Sequence, residues 1–452
     1  MSGRRVRTTV LSLVGLTSLF LALTFSFVSN GFGVAPWNEW AAWEKGSEAM
    51  VLQRIEFDLL DRESSPFGLG PFTGTDVGVY ERLSRDELQP EEAPETFDAY
   101  TSEVGGQAYF WSFMWREVGC SSVSCLHLVN SMLFAGAVIA MFVGFGLLGS
   151  WWLGAAWLLS AALSPWFVFA ARNLFWSPWL YFLPVIAAFG VALAKGRRTL
   201  FFSYAVLFAS FFIKFVASGY HEFTAVLMLA GALPLVGIFF EKFSRQQIRT
   251  QVRRAIGISV VGAFALGFVI TIHAFLLTGS VGSGLTQLWS ETVVRRTVGS
   301  TASSNPVLVE AAAATPFDVL ERYVWSQWWT DLLKFSFDAS GSLVSFALGP
   351  RSFVVLSVVS VAVVLLRFRS RDARWKRDLA LLAVGFSVAA VWLVAAKSYA
   401  YIHWFILFFL WYFMYVPAMI YVIGAYVGDR ASSLRLKSRQ TLPTSQYENA
   451  RQ

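Results

Sequence analysis

Charge is what this chain has least of. Asp, Glu, Lys and Arg make up 14% of its 452 residues, against roughly 25% in an ordinary soluble domain. Hydrophobic residues reach 56% and aromatic ones 17%, which excludes a soluble globular protein of this length. There are two cysteines, Cys120 and Cys125, so a disulfide-rich scaffold and a cysteine-built zinc centre are excluded too. For that pair two readings stand level: a local disulfide in an oxidising compartment, or two unpaired thiols in a turn. No Asn-x-Ser/Thr sequon and no internal repeat are present; the first favours a bacterial source. Within the apolar runs ionisable residues are nearly missing, Lys214 and His273 excepted. Transporters mark their paths with intramembrane charge, and that scarcity weakens a proton-coupled transporter reading.

What the chain does have is apolar stretches long enough to cross a hydrocarbon core of about 30 Å. They fall at residues 8–29, 126–149, 151–171, 179–194, 200–218, 223–240, 255–278, 352–366, 379–396 and 403–427. The expected fold is an all-α polytopic membrane protein of about ten transmembrane helices with two large extracytoplasmic loops. Residues 1–29 form a cytoplasmic start and an uncleaved signal anchor, and 30–125 the first outer loop. Spans two to seven occupy 126–278, the second outer loop 279–350, and the last three spans 351–427. Residues 428–452 read as a disordered basic tail.

Charge placement supports an even count. Arg4, Arg5 and Arg7, then Lys195/Arg197/Arg198, Lys242 to Arg254, Arg367 to Arg377, and the tail Arg430 to Arg439 occupy alternate connections. The first long loop holds 17 of the 29 acids. The positive-inside rule then puts both termini in the cytoplasm of a plasma-membrane protein. The net charge of +7 follows the same topological bias, so the implied partner is a lipid bilayer and not a nucleic acid.

Chemistry concentrates at the outer mouth. Glu56, Asp58 and Asp61, with Glu63, make the densest acidic cluster beside apolar residues. Such carboxylates suit a general base, or oxygen ligation of a divalent metal. The bland reading is a solvated helix face paired locally with Arg54 and Arg62. Arg172, Lys214, Arg295, Arg296 and Lys397 suit a carrier phosphate, against simple snorkelling to headgroups. His221, Glu222 and His403, in short outer turns, are acid/base candidates or interfacial hydrogen-bonding groups. Trp37, Trp40, Trp43, Trp176 and Trp179 fit an interfacial aromatic belt better than sugar stacking.

Several segments together resemble one family. Tyr100-Thr-Ser-Glu-Val-Gly-Gly-Gln107, Leu163-Ser-Pro-Trp-Phe-Val-Phe-Ala-Ala-Arg172-Asn173, Ser218-Gly-Tyr220, Glu291-Thr-Val-Val-Arg295-Arg296 and Lys397-Ser-Tyr-Ala-Tyr-Ile-His403 are similar, in order, to segments of bacterial C-type (GT-C) membrane glycosyltransferases of surface-polysaccharide assembly. The resemblance implies transfer of a sugar from a polyprenyl-phosphate carrier to a glycan or glycolipid acceptor. It also implies a catalytic carboxylate in the first loop, hence Asp58, Asp61 or Glu56, with Tyr100 and Gln107 near the substrate. The chain departs from the pattern at Glu103, where Gln is usual, and at His221, inserted between Tyr220 and Glu222. The alternatives are a flippase, transporter or polymerase of lipid-linked saccharides, and a noncatalytic partner in an envelope complex.

Overall fold

The computed structural model describes residues 2–440 apart from 36–39, 41–42, 63–64, 72–77, 86–88, 241–243, 300–305, 326–332, 338–342 and 349. Helices dominate it. Among the described residues six are long and apolar enough to cross a membrane: Val123–Leu147, Arg197–Ala217, Phe223–Phe240, Arg245–Thr278, Ser352–Arg369 and Arg374–Ala395. This is a helical membrane protein. Large side chains such as Phe201, Phe202 and Phe264 are exposed on these helices, as lipid-facing positions should be.

The expected third span is broken. Trp151–Ala162 and Pro165–Arg172 pass the same test together, but bend by 70° at their junction. Proline disfavours helical backbone in the residue before it, and Ser164 is extended, with its hydroxyl accepting from Phe167 N–H at 3.2 Å. The first expected span lies in the helix Ser2–Ser29, and the fourth appears as a shorter apolar helix, Trp179–Leu193. The tenth opens with a short helix, Trp404–Leu407, and a 3-10 turn, Phe408–Phe413, before the helix Tyr415–Gln440. That helix carries the expected tail as far as Gln440, and residues 441–452 lie outside the described part. A short antiparallel hairpin, Leu333–Phe337 with Leu343–Leu348, sits in the second loop, the one exception to an otherwise helical chain among the described residues.

Local signals set the helix ends. Ser244 and Gln247 form a reciprocal capping box at the start of Arg245–Thr278, and Gly279 closes it in the left-handed conformation. Aromatic side chains fill the centre. Phe134, Phe167, Phe182 and Phe413 are fully buried, and Trp157 Nε1 donates to Phe413 O at 3.0 Å. At the basic end of the bundle, Arg367 bonds Asp378 and Asp429, joining three helices.

The first loop is folded. Its helix Lys45–Leu59 is buried from Ser47 to Phe57, and it lies against Gly106–Arg116. Cys120 and Cys125 are joined as a disulfide that ties the first turn of the helix Val123–Leu147 to the segment before it, which settles that pair in favour of the bridge.

Candidate functional site

The site is built on a lysine that ends a helix. Lys214 is fully buried near the end of Arg197–Ala217, and its Nζ donates to Gly219 O at 2.8 Å and His221 O at 2.6 Å. The turn 218–222 therefore wraps over the ammonium. Gly219 and Glu222 both take left-handed φ, 57° and 52°. At Gly219 the reason is visible: a Cβ there would overlap Glu103 Oε2 and come within 2.8 Å of that residue's Cβ.

Glu103 thus rests on the backbone of this turn. It reaches the site from the first loop, just before Gly105, whose φ of 73° starts the helix Gly106–Arg116. Glu103 and Glu222 are both buried, and among the described residues none forms a well-shaped hydrogen bond with either carboxylate. Burial pushes Glu222 up to about 8, against the pull of Lys214, Arg296 and the Tyr181 hydroxyl. Burial likewise pushes Glu103 up to about 7, with Arg296, Lys214 and Gln107 opposing. Two carboxyls that change charge near neutral pH are the equipment of acid–base chemistry.

Histidines and tyrosines surround this pair. His221 Nε2 lies 3.5 Å from Glu103 Oε2, and its Nδ1 is 3.0 Å from Tyr399 OH. Burial, with the cations Arg296 and Lys214, pushes His221 well below its ordinary value, so it is neutral. His273 Nε2 donates to Thr101 O at 2.9 Å. Its Nδ1 must then accept from Tyr220 OH, also at 2.9 Å, because a carbonyl only accepts. That chain ties the Arg245–Thr278 helix to the turn and to the segment that presents Glu103.

Arg296 is buried with its guanidinium 5.1 Å from the centre of the Tyr399 ring. It also lines an apolar groove of about 350 Å³, formed with Tyr220, Phe223, Ile270, Leu288 and Trp392. One side chain therefore joins an apolar cavity to the buried charges.

Of the residues expected from the sequence, Lys214, His221, Glu222 and Arg296 meet here. Gln107 is buried beside Glu103, Tyr100 lies within electrostatic reach of Tyr399, and the His403 ring packs tilted against Tyr399, with centroids 4.2 Å apart. Lys397 instead donates to Ala312 O at 2.8 Å, at the end of the helix Pro306–Ala313. Arg172 borders a separate cavity. The side chain of Arg295 lies outside the described residues. The acidic trio is elsewhere and dispersed. Glu56 takes a two-pronged contact from Arg82 at 2.6 and 2.9 Å, and Asp58 accepts from Arg54 Nε and from Ser112 Oγ, the latter at 2.5 Å. Asp61 is exposed, 3.6 Å from Arg116. Among the described residues no three His, Cys, Asp or Glu side chains gather as ligands for a metal ion.

Sequence reasoning passed over Glu103 as a reacting group, along with Tyr181 and Tyr399. Glu103 was visible as a departure from the family pattern, in a segment of two adjacent glycines. Comparison of the chain with protein-family models, curated proteins and solved structures finds no match.

Proposed function

We propose that the chain is a membrane glycosyltransferase of the C-type kind, which moves a sugar from a polyprenyl-phosphate carrier to an extracytoplasmic glycan or glycolipid. The carrying observation is the continuity of the apolar groove, through Arg296, with two buried carboxyls that titrate near neutral pH. A polyprenyl chain suits the groove, and the carrier phosphate suits Arg296. The acceptor hydroxyl then gives its proton to Glu222 or Glu103 as its oxygen attacks the anomeric carbon. The bond from that carbon to the phosphate oxygen breaks, and the electron pair leaves on phosphate, where Arg296 offsets the charge. Lys214 keeps the turn in place. This reading moves the base from Asp58, Asp61 and Glu56 to Glu222 and Glu103.

The accompanying topology is ten crossings of a bacterial plasma membrane, with both termini in the cytoplasm and this site on the outer face. The broken pair at Ser164 counts as one crossing in that scheme.

A photoactivatable polyprenyl phosphate, offered to the protein in lipid nanodiscs, tests the reading directly. Labelled peptides should map to the groove around Leu288, Trp289 and Trp392, and Arg296→Ala should remove the label. Labelling spread over lipid-facing helices, unchanged in Arg296→Ala, would defeat the proposal.

A further inference from the structure

Residues 279–298 fall in the expected second outer loop, yet they fold back along a membrane helix. Gly279 ends Arg245–Thr278 in the left-handed conformation, and the helix Val281–Leu288 follows at once. Gly284 packs so closely on Ala274 that a Cβ there would overlap the Ala274 carbonyl. These two residues stand a few positions either side of the turn, so the two helices form a hairpin. A small residue at the crossing permits such an approach, as in membrane helix pairs. Past the crossing, Leu285, Leu288, Trp289 and Val293 line the same groove as Ile270 and Leu266 of the long helix. The second arm therefore runs back beside the span.

The outer face of this arm is apolar. Val281, Leu285, Trp289 and Val293 recur every four residues and are exposed, Trp289 by 64%. From Ala274 to Ser290 no side chain is ionisable. Thr286 Oγ1 donates to Gly282 O at 3.2 Å, and Ser290 Oγ to Gln287 O at 3.0 Å. Desolvating the arm thus leaves neither hydroxyl without a bond. Helical residues two apart point about 200° from each other. Gln287 and Glu291, paired at 3.2 Å, therefore lie nearly opposite Leu285 and Trp289. The long helix already presents Phe264 and Phe268 to lipid, and the arm adjoins it, so the apolar face continues that surface.

We propose that residues 281–293 insert into the leaflet on the site's side of the membrane, with Leu285 and Trp289 among the upper acyl chains and Glu291 toward the headgroups. Interfacial helices lie about 5–10 Å into that boundary, and tryptophan is enriched there. Leu285 and Trp289 also line the groove, which makes this arm the wall between groove and bilayer. The insertion does not depend on the transferase reading.

Spin labelling of the full-length protein in nanodiscs is the test. Cys120 and Cys125 are bonded to each other, so an introduced cysteine is the sole free thiol. Nitroxides at Leu285→Cys and Trp289→Cys should be relaxed several-fold more by oxygen, which concentrates in lipid, than by a water-soluble nickel chelate. Phe264→Cys serves as the lipid reference, and Glu95→Cys, at an exposed loop residue, as the aqueous one. Hydroxyl-radical footprinting of the unsubstituted protein needs no variant, and it should leave Trp289 unoxidised. Nickel accessibility equal to that of Glu95→Cys, or an oxidised Trp289, would overturn the proposal. Shielding from both oxygen and nickel would overturn it as well, and would put a protein partner on this face. Neither readout uses the polyprenyl probe, so failure here and failure of the transferase reading are separable.

Discussion

Glu103 Oε2 and His221 Nε2 face each other across 3.5 Å, both side chains almost wholly buried. The usual expectation for such a pair is a carboxylate beside a charged imidazole. Here Arg296 and Lys214 reinforce burial in keeping His221 neutral, while burial keeps the proton on Glu103 up to about pH 7. The proton therefore belongs to the carboxyl side of the pair. The same field acts on Glu222, and the Glu103 carboxyl raises the cost of ionising it.

Stability should depend on pH through these two acids. Their folded values of about 7 and about 8 stand above the ordinary 4.5. Below that ordinary value both states hold the protons and the full stability is present. As pH rises, the unfolded chain ionises first, so stability falls until the folded acids ionise near pH 7 to 8. Glu103→Gln/Glu222→Gln should flatten this fall, and thermal melting in nanodiscs between pH 5 and 9 reads it. A wild-type melting temperature as steep as that of the double variant would refute the shifts.

Activity should move the other way. A base must be ionised, so turnover should climb with pH through about 7 to 8. Glu222→Gln should lower the rate by about 10²- to 10⁴-fold, the usual contribution of a positioned base. A flat pH–rate profile in the wild-type protein would contradict the assignment.

Gly219→Ala should act on Glu103 without touching it chemically. The added methyl collides with the Glu103 carboxylate and demands left-handed backbone from alanine. The expected result is loss of turnover with a stability loss of about 1 kcal/mol from the backbone term. Full activity in this variant would show that Glu103 need not lie where it does.

Lys214→Met should cost roughly 3 kcal/mol, because the Gly219 and His221 carbonyls lose their buried charged donor. Methionine fills similar volume, so packing is kept and chiefly the hydrogen bonds are lost. Denaturant unfolding in detergent would show no change if Lys214 were a spectator.

Much of the fold was legible because apolar runs and flanking arginines are local signals. Ser164-Pro165 was in plain view as well, yet a run of apolar residues does not announce that it bends by 70°. Lys214 stood out as one of the rare ionisable residues in an apolar run, and it is central. Glu56 and Asp58 stood out by density, but their partners Arg82 and Ser112 come from distant segments, and density says nothing about pairing. Glu103 was visible only as a departure from the resembled pattern, and nothing near it in the sequence announced its burial. Its burial depends on a glycine in another loop, and only the folded turn makes room for the carboxylate.

The most direct test is mass spectrometry of surface glycans and lipid-linked saccharides in a deletion strain complemented with four forms of the gene. The account predicts a glycan lacking one sugar and a matching build-up of lipid-linked donor. Wild type should restore the product, and so should Asp61→Ala, whose exposed pair with Arg116 contributes little. Glu222→Gln and Glu103→Gln/Glu222→Gln should not. Unchanged glycans in the deletion, or full restoration by the double variant, would contradict the account.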